Sequence, residues 1–296
     1  MAYDQNNLNL IEKINSMHGA FSKGQKAIAS YIVSNYDKAP FMTALKLGET
    51  VGVSESTVVR FAMELGFEGY PKFQKALKEA VRPKLTATQR MELTDDRIGE
   101  KDVLRTVLLE DIEKIRGTLE EIDKDEFEGI VSAVLKAEKI YILGVRSSAA
   151  LAGFLGFYFN LMFDNVRLIS TNSVSEMFEQ IMRVSEKDCV IGISFPRYSR
   201  RTIEALKYAK DMGANVIGIT DSKLSPITEC SNHSLISRSD MVSFVDSLVA
   251  PLSVINALIV AVGMRKKEEV YNTFENLERI WKEYEVYEKY DELGDE

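Results

Sequence analysis

Apolar residues recur along this chain with two different periods. Up to about residue 137 the spacing is helical. Leu8, Ile11, Ile14 and Met17 fall three apart, and Ala27, Ile28, Tyr31 and Ile32 share one side of a second helix. This predicts helices over 8–17 and roughly 24–35, with Ser22 capping the second and Pro40 closing the segment. Residues 45–65, LKLGETVGVSESTVVRFAMEL, then predict two short helices joined by a tight turn. Gly48 is small enough to let the first lie close to a neighbour, and Gly52 stands where a left-handed backbone ends it. Ser54 is the cap candidate for the second, and Thr57 can share the cap. Val58, Phe61, Met63 and Leu65 are expected partly inward, leaving Ser54, Ser56, Thr57 and Arg60 outward. A turn over 66–71 leads to a helix over 72–81. There Lys72, Lys75 and Lys78, followed by Arg82, form a basic stripe. Residues 83–100 mix Pro, Thr, Asp and Gly without period and read as a linker. Helices follow over 101–122 and 125–137. The first carries Val103, Leu104, Val107, Leu108, Ile112, Ile115 and Leu119 on one broad stripe.

From Lys139 short apolar runs alternate with helical stretches. Strands are expected over 139–144, 166–170, 189–195, 215–220 and 233–237. Helices are expected over 147–163, 174–184 and 199–212, with closing helices over 246–266 and 269–287 and an acidic tail. Strands separated by helices of ten to fifteen residues predict a parallel sheet with right-handed crossovers. The organisation is therefore an all-α domain at 1–82, a linker at 83–100 and an α/β domain at 101–296.

Charge sharpens that division. The whole chain carries a net −8, which taken alone argues against nucleic acid. Residues 1–90 hold twelve Lys/Arg against eight Asp/Glu, and the remainder twenty-five against thirty-seven, so +4 faces −12. A basic front on an acidic body suits a DNA-binding domain joined to something else, although ordinary variation between domains also produces such a difference. The two cysteines, Cys189 and Cys230, are far apart and lack metal-ligand spacing, which fits a reducing, cytoplasmic setting. The most apolar run, 248–263, is short for a membrane span and contains Pro251, Ser253 and Asn256. No membrane association, metal or cofactor is expected.

Two places could carry chemistry. Short hydroxyls and an arginine opening a second helix suit a reader of the DNA major groove. Ser54, Ser56 and Thr57 can reach phosphates or bases, and Arg60 can bond guanine or a phosphate through its planar fork. The pattern also fits two surface helices of an unrelated domain. Beside such a reader, Lys72 and Lys75 become candidate phosphate contacts rather than merely a solvated face. The second place is the carboxyl end of the parallel sheet, where ligands of such folds bind. One strand ends in Gly144-Val145-Arg146-Ser147-Ser148 and another in Ser194-Phe195-Pro196-Arg197-Tyr198-Ser199, followed by Thr202. Each turn opens a helix, whose free N–H groups and positive dipole end favour an anion. These serines could instead simply cap their helices. A third end, 220–226, carries Thr220, Asp221, Ser222 and Ser225.

Together the stretches TVGVSESTVVRFAMELGFEGYPKFQ and ITDSKLSPI resemble the MurR/RpiR family of bacterial transcriptional regulators. That family joins an N-terminal helix-turn-helix domain to a C-terminal sugar isomerase (SIS) domain, and the resemblance covers nearly the whole chain. It implies a flavodoxin-like three-layer sandwich around a five-stranded parallel sheet. It also implies a regulator that binds a double-stranded DNA operator and senses a phosphorylated sugar. Ser148, Ser194 and Ser199 match the family's ligand-loop positions. Arg146 and Arg197 stand where its loops usually carry glycine, which points either to a more acidic effector, such as a phosphorylated sugar acid or a bisphosphate, or to arginines that turn outward or seal the pocket. Arg146, Ser147, Ser148, Ser194, Arg197, Tyr198, Ser199 and Thr202 form the expected effector site. Operator symmetry leads to the expectation of a homodimer or homotetramer, with helices 103–119 and 248–262 as candidate interface. The alternatives are a phosphosugar isomerase with an accessory helical domain and an adaptor that does not bind DNA. The isomerase needs a base. Glu176 and Glu179 are the candidates, since His233 opens a strand and His18 lies in the other domain. No catalytic residue is assigned.

Overall fold

A computed structural model of the chain describes residues 9–36, 38–81, 102–171, 173–239 and 245–287, together with positions 88 and 91. The chain divides into two compact units, Met1–Gly99 and Glu100–Glu296. Arg82, the tail beyond residue 287 and all of the expected linker except positions 88 and 91 lie outside the described residues.

The first unit is helical, with α1 (Asn9–Ser16), α2 (Lys23–Ser34), α3 (Ala44–Val51), α4 (Glu55–Glu64) and α5 (Tyr70–Val81). Ser22 caps α2 reciprocally. Its hydroxyl accepts from Gln25 N, and Gln25 Oε1 accepts from Ser22 N. Gly52 ends α3 at φ 75°, the left-handed conformation that glycine takes at least cost. Phe61 centres the core, with Phe21 and Phe73 rings 5.1 and 5.8 Å away. α5 begins two residues before its expected start, because Pro71 fits a first helical turn, where its missing N–H costs nothing. Tyr70 then reaches back to donate to Met42 O at 2.7 Å, and burial pushes its phenol up to about 12.

Two expectations for α3 and α4 are corrected. Gly48 makes its close approach to the turn that follows α3, since a Cβ there would lie 2.7 Å from Val53 O. Met63 faces solvent, and Ala62 takes the inward place, completing the helical spacing of Val58, Phe61 and Leu65.

The second unit contains α6 (Val103–Glu121), α7 (Lys124–Lys136), β1 (Ile140–Gly144), α8 (Ser148–Asn160), β2 (Val166–Ile169), α9 (Val174–Ile181) and β3 (Cys189–Ile193). It continues with α10 (Arg200–Asp211), β4 (Asn215–Thr220), α11 (Pro226–Glu229), β5 (His233–Ile236), α12 (Val249–Arg265) and α13 (Lys267–Glu283). The five strands form one parallel sheet in the order β2-β1-β3-β4-β5. β1 and β3 are buried throughout, as a sheet covered on both faces requires. α7, α8 and α12 supply the core on one face; α9 and α10 supply it on the other. Among the described residues of this unit, the four-residue α11 alone is a helix that the hydrophobic pattern does not predict.

β5 is an edge strand, and side chains take up two N–H groups along its outer side. Ser234 N donates to Glu126 Oε1 at 2.7 Å, and just past the strand Arg238 N donates to Thr118 Oγ1 at 3.0 Å. This blunts an edge that could otherwise template pairing with another chain. It also decides which way α6 faces. The buried residues of α6 are Lys114, Gly117 and Thr118, while Leu104, Leu108, Ile112 and Leu119 stand exposed. Lys114 sits 3.5 Å from Asp111 Oδ1, which also accepts from Ser247 Oγ at 2.6 Å. The expected apolar stripe is therefore real but turned outward. α12 is the reverse case, with seven buried residues and Val260 and Met264 outside.

Thr118→Val preserves shape and removes the acceptor for Arg238 N–H in a buried place. It should destabilise the second unit by about 1–3 kcal/mol, read from the urea midpoint. Thr118→Ser, which keeps the hydroxyl, should cost less than half as much.

Candidate functional site

The strand order explains where a ligand fits. Gly144 at the end of β1 is in register with Ile193 at the end of β3, so the two following loops emerge side by side. From there α8 leaves to one face of the sheet and α10 to the other. This divergence is the switch point at which open α/β sheets bind ligands.

The structure brings all the expected effector residues to these two turns. In the first, Arg146 and Ser147 are exposed and Ser148 is buried, opening α8. Gly144 must be glycine, because a Cβ there would lie 2.6 Å from Ser148 O. Ser147 occupies the cap position without a side-chain cap bond. In the second turn, buried Ser194 accepts from Ser199 N at 3.1 Å, and Ser199 caps α10 by accepting from Thr202 N at 3.3 Å. Arg197 is exposed. Thr202 is fully buried, and its hydroxyl has no partner. Ser199 thus performs the capping role that the simpler reading assigned to both serine turns, and Ser147 does not.

Arg146 and Arg197 have φ of 58° and 67°. Both occupy the left-handed region, which costs a residue with a side chain roughly 1–2 kcal/mol. Besides these two, only Glu285 among the described non-glycine residues has positive φ. The backbone keeps the glycine conformation at both turns while the sequence places a guanidinium on each. Strain of this kind concentrates at functional turns.

Tyr198, next to Arg197, anchors the second turn to the end of β4. Its hydroxyl donates to Asp221 Oδ1 at 2.9 Å, and Thr220 Oγ1 lies 3.2 Å from the same oxygen and 2.8 Å from Ser225 Oγ. Burial, reinforced by the Asp221 charge, pushes the Tyr198 phenol far above its usual value, so it remains a donor at any physiological pH. Tyr198, expected as a ligand contact, is instead the tie to Asp221, a role that arises only once β3 and β4 pair.

The candidate bases do not assemble into a proton-transfer site. His233 lies at the amino end of the sheet, opposite these turns, 3.4 Å from Glu126. Glu176 is exposed and accepts from Thr171 Oγ1, and Glu179 is exposed. No cluster of metal-ligating side chains occurs among the described residues, and no single helix there is long and apolar enough to cross a membrane.

In the helical unit, Ser54, Ser56, Thr57 and Arg60 open α4. Ser54 holds the expected cap position, but no side-chain bond caps the helix. Its hydroxyl lies 2.9 Å from both Ser56 Oγ and Thr57 Oγ1. Arg60 Nε donates to Ser56 O at 3.4 Å. Lys72 and Lys75 are exposed on α5, while Lys78 lies over the Phe41 ring, 5.6 Å from its centroid. The sequence reading missed a cleft beside α4 that also involves Ser22, Gly24, Gln25 and Glu64; Ser22 had been read only as a cap.

The helix-turn-helix model of the rpiR family matches residues 8–84, and the SIS domain model matches residues 134–261. The chain belongs to the RpiR family of transcriptional regulators. Relatives of this RpiR-family chain include an uncharacterised HTH-type transcriptional regulator of Haemophilus influenzae, 27% identical over 234 residues, covering 77% of this chain and 79% of the relative. The HTH-type transcriptional regulator HexR of Pseudomonas aeruginosa is 25% identical over 266 residues, covering 87% and 90%. Among solved structures, the sugar isomerase domain of an RpiR transcription factor from Sphaerobacter thermophilus is 27% identical with a TM-score of 0.58, covering 60% of this chain and 98% of that one. Vibrio vulnificus NanR complexed with ManNAc-6P has the same fold at 21% identity and a TM-score of 0.57, covering 92% and 98%. The RpiR-family chain is accordingly a regulator rather than an enzyme.

The strained turns make a prediction of opposite signs. Arg197→Gly relieves the left-handed strain and should raise stability by ~0.5–1 kcal/mol, after the greater unfolded-chain freedom of glycine is offset. It should also weaken anion binding. A lower melting temperature for Arg197→Gly would show that side-chain contacts outweigh the strain.

Proposed function

We propose that the SIS unit senses a phosphorylated sugar bearing a second acidic group, such as a phosphorylated sugar acid, and that this ligand sets the regulator's hold on a double-stranded DNA operator. The observation that carries the effector class is the pair of left-handed arginines at neighbouring strand ends. The start of α8 and the hydroxyls at 147, 148 and 199 suit a phosphate. Arg146 and Arg197 add two charges beside it, and a guanidinium forms a bidentate pair with a carboxylate or second phosphate. The phosphosugar bound by the Vibrio vulnificus NanR supports the general class. A reader of the chromosome acts in the cytoplasm.

Arg197→Lys tests the effector. It keeps the charge and loses the fork. In calorimetric titrations it should weaken a phosphorylated sugar acid at least tenfold and a sugar monophosphate lacking the acid far less. Equal losses for both ligands, or no binding of any phosphosugar by the wild type, would refute the assignment.

On the DNA side, Lys72 and Lys75 are proposed phosphate contacts. Their double alanine variant should weaken all duplexes alike and lower the salt slope by about 2. A change in base preference without a change in slope would count against them.

Homodimerisation, or a homotetramer built from it, is proposed through the outward stripe of α6, of which Leu104 and Leu119 are 71% and 73% exposed. Contiguous apolar surface of this kind marks an interaction site. Light scattering should find at least a dimer at micromolar concentration, and Leu104→Glu with Leu119→Glu should shift it toward monomer. A monomeric wild type would overturn the proposal.

A further inference from the structure

A cleft of about 620 Å³ opens on the helical unit between the first turns of α2 and α4, lined by Ser22, Gly24, Gln25, Ser54, Thr57 and Arg60 among others. It is polar and exposed, so it serves neither the core of the unit nor an apolar ligand. Its form follows from the sequence. Residue 24 has no side chain, and a Cβ there would lie 3.2 Å from Val53 Cγ1 and 3.5 Å from Thr57 Cγ2. The absent side chain lets α2 bring its first turn against the first turn of α4.

Three features give this cleft the character of an anion seat. Arg60 lines it, its Nε tied to Ser56 O within its own helix, which leaves the two terminal nitrogens of the fork for another acceptor. The hydroxyls of Ser54 and Thr57 line the cleft and are linked to each other, and Ser54 Oγ also to Ser56 Oγ, while no side-chain bond caps α4. In α2 the capping box uses only Ser22 N and Gln25 N, so the amides of Lys23 and Gly24 keep no helical carbonyl partner. Glu64 also lines the cleft, one turn along α4 from Arg60, and its carboxylate accepts from Gln25 Nε2 of the first turn of α2.

We infer that this cleft seats one phosphate of the DNA backbone. Arg60 and the first turn of α2 hold that phosphate, while the first turn of α4 faces the neighbouring base edges. The inference rests on the DNA-binding reading and deepens it. Arg60 becomes a backbone anchor rather than a guanine reader, and Ser22, Lys23 and Gly24, which precede the helix-turn-helix, join the interface. A contact of this type fixes register and carries no base information.

Ser22→Asp tests it directly. Aspartate is as good a cap as serine, so α2 is preserved while a negative charge enters the cleft. The probe is a duplex that the wild-type full-length protein recovers from a random pool. Ser22→Asp should bind it at least tenfold more weakly, with an equal loss on unrelated duplexes and an unchanged melting temperature. Arg60→Ala should leave the base preference of the recovered pool unaltered and lower the salt slope by about 1. Neutral methylphosphonate linkages, placed one at a time in the duplex, supply a measurement on the unmodified protein. One linkage per half-site should weaken the wild type, and Arg60→Ala should be insensitive at that linkage. Wild-type affinity in Ser22→Asp, a changed base preference at one position in Arg60→Ala, or no sensitive linkage would overturn the phosphate seat and leave the DNA-binding reading standing. Failure of the wild type to recover any duplex would overturn both.

Discussion

Two neighbouring parallel strands must each pass through a left-handed residue before starting a helix, and the two helices must leave on opposite faces of the sheet. The rest of the second unit is arranged around this constraint. It makes Gly144 obligatory, because Ser148 O already occupies the space a side chain would need. It places Ser194 under the second turn, where its hydroxyl accepts from Ser199 N. It leaves residues 146 and 197 with positive φ, one in each turn. A glycine at each would satisfy the backbone more cheaply. The side chains present are arginines, so local stability has been given up for charge. The tie from Tyr198 to Asp221 holds the second turn in place against that strain.

Much of this architecture could be read from the pattern of residues. Buried parallel strands are near-continuous apolar runs between helical stretches, and all five strands were placed within a residue or two. The starts of α8 and α10, hence the location of the ligand turns, came from the same alternation. What could not be read was the direction in which an amphipathic helix turns its apolar side. In α6 that side is outward; the inner side carries Thr118, which accepts from Arg238 N–H, and Asp111, which accepts from Ser247 Oγ. Hydrophobic spacing reports that a face exists, not which neighbour it will meet. Ser54 illustrates the same limit at smaller scale. The residue type favours a cap, yet its hydroxyl is drawn to Ser56 and Thr57 instead.

The helical unit shows how a weakly basic domain can be specific about where its charge lies. Its surplus of four positive charges up to residue 90 is modest. Part of it is committed elsewhere: Lys78 lies over Phe41, and Lys13 donates to Leu65 O at 3.1 Å. Of the rest, Arg60 stands on α4, and Lys72 and Lys75 are exposed on α5. Position counts for more than total charge here, since screening confines each charge to about a Debye length.

On the proposed function, an anion held by the two strained turns changes the affinity of the helix-turn-helix for DNA. The most direct measurement is fluorescence anisotropy of a duplex selected by the wild-type protein, titrated with and without a saturating phosphorylated sugar acid. Coupling should shift the duplex Kd by about 5–150-fold, and by reciprocity the duplex should shift the ligand's Kd by the same factor. An unchanged duplex Kd under conditions where calorimetry shows the ligand bound would contradict the account.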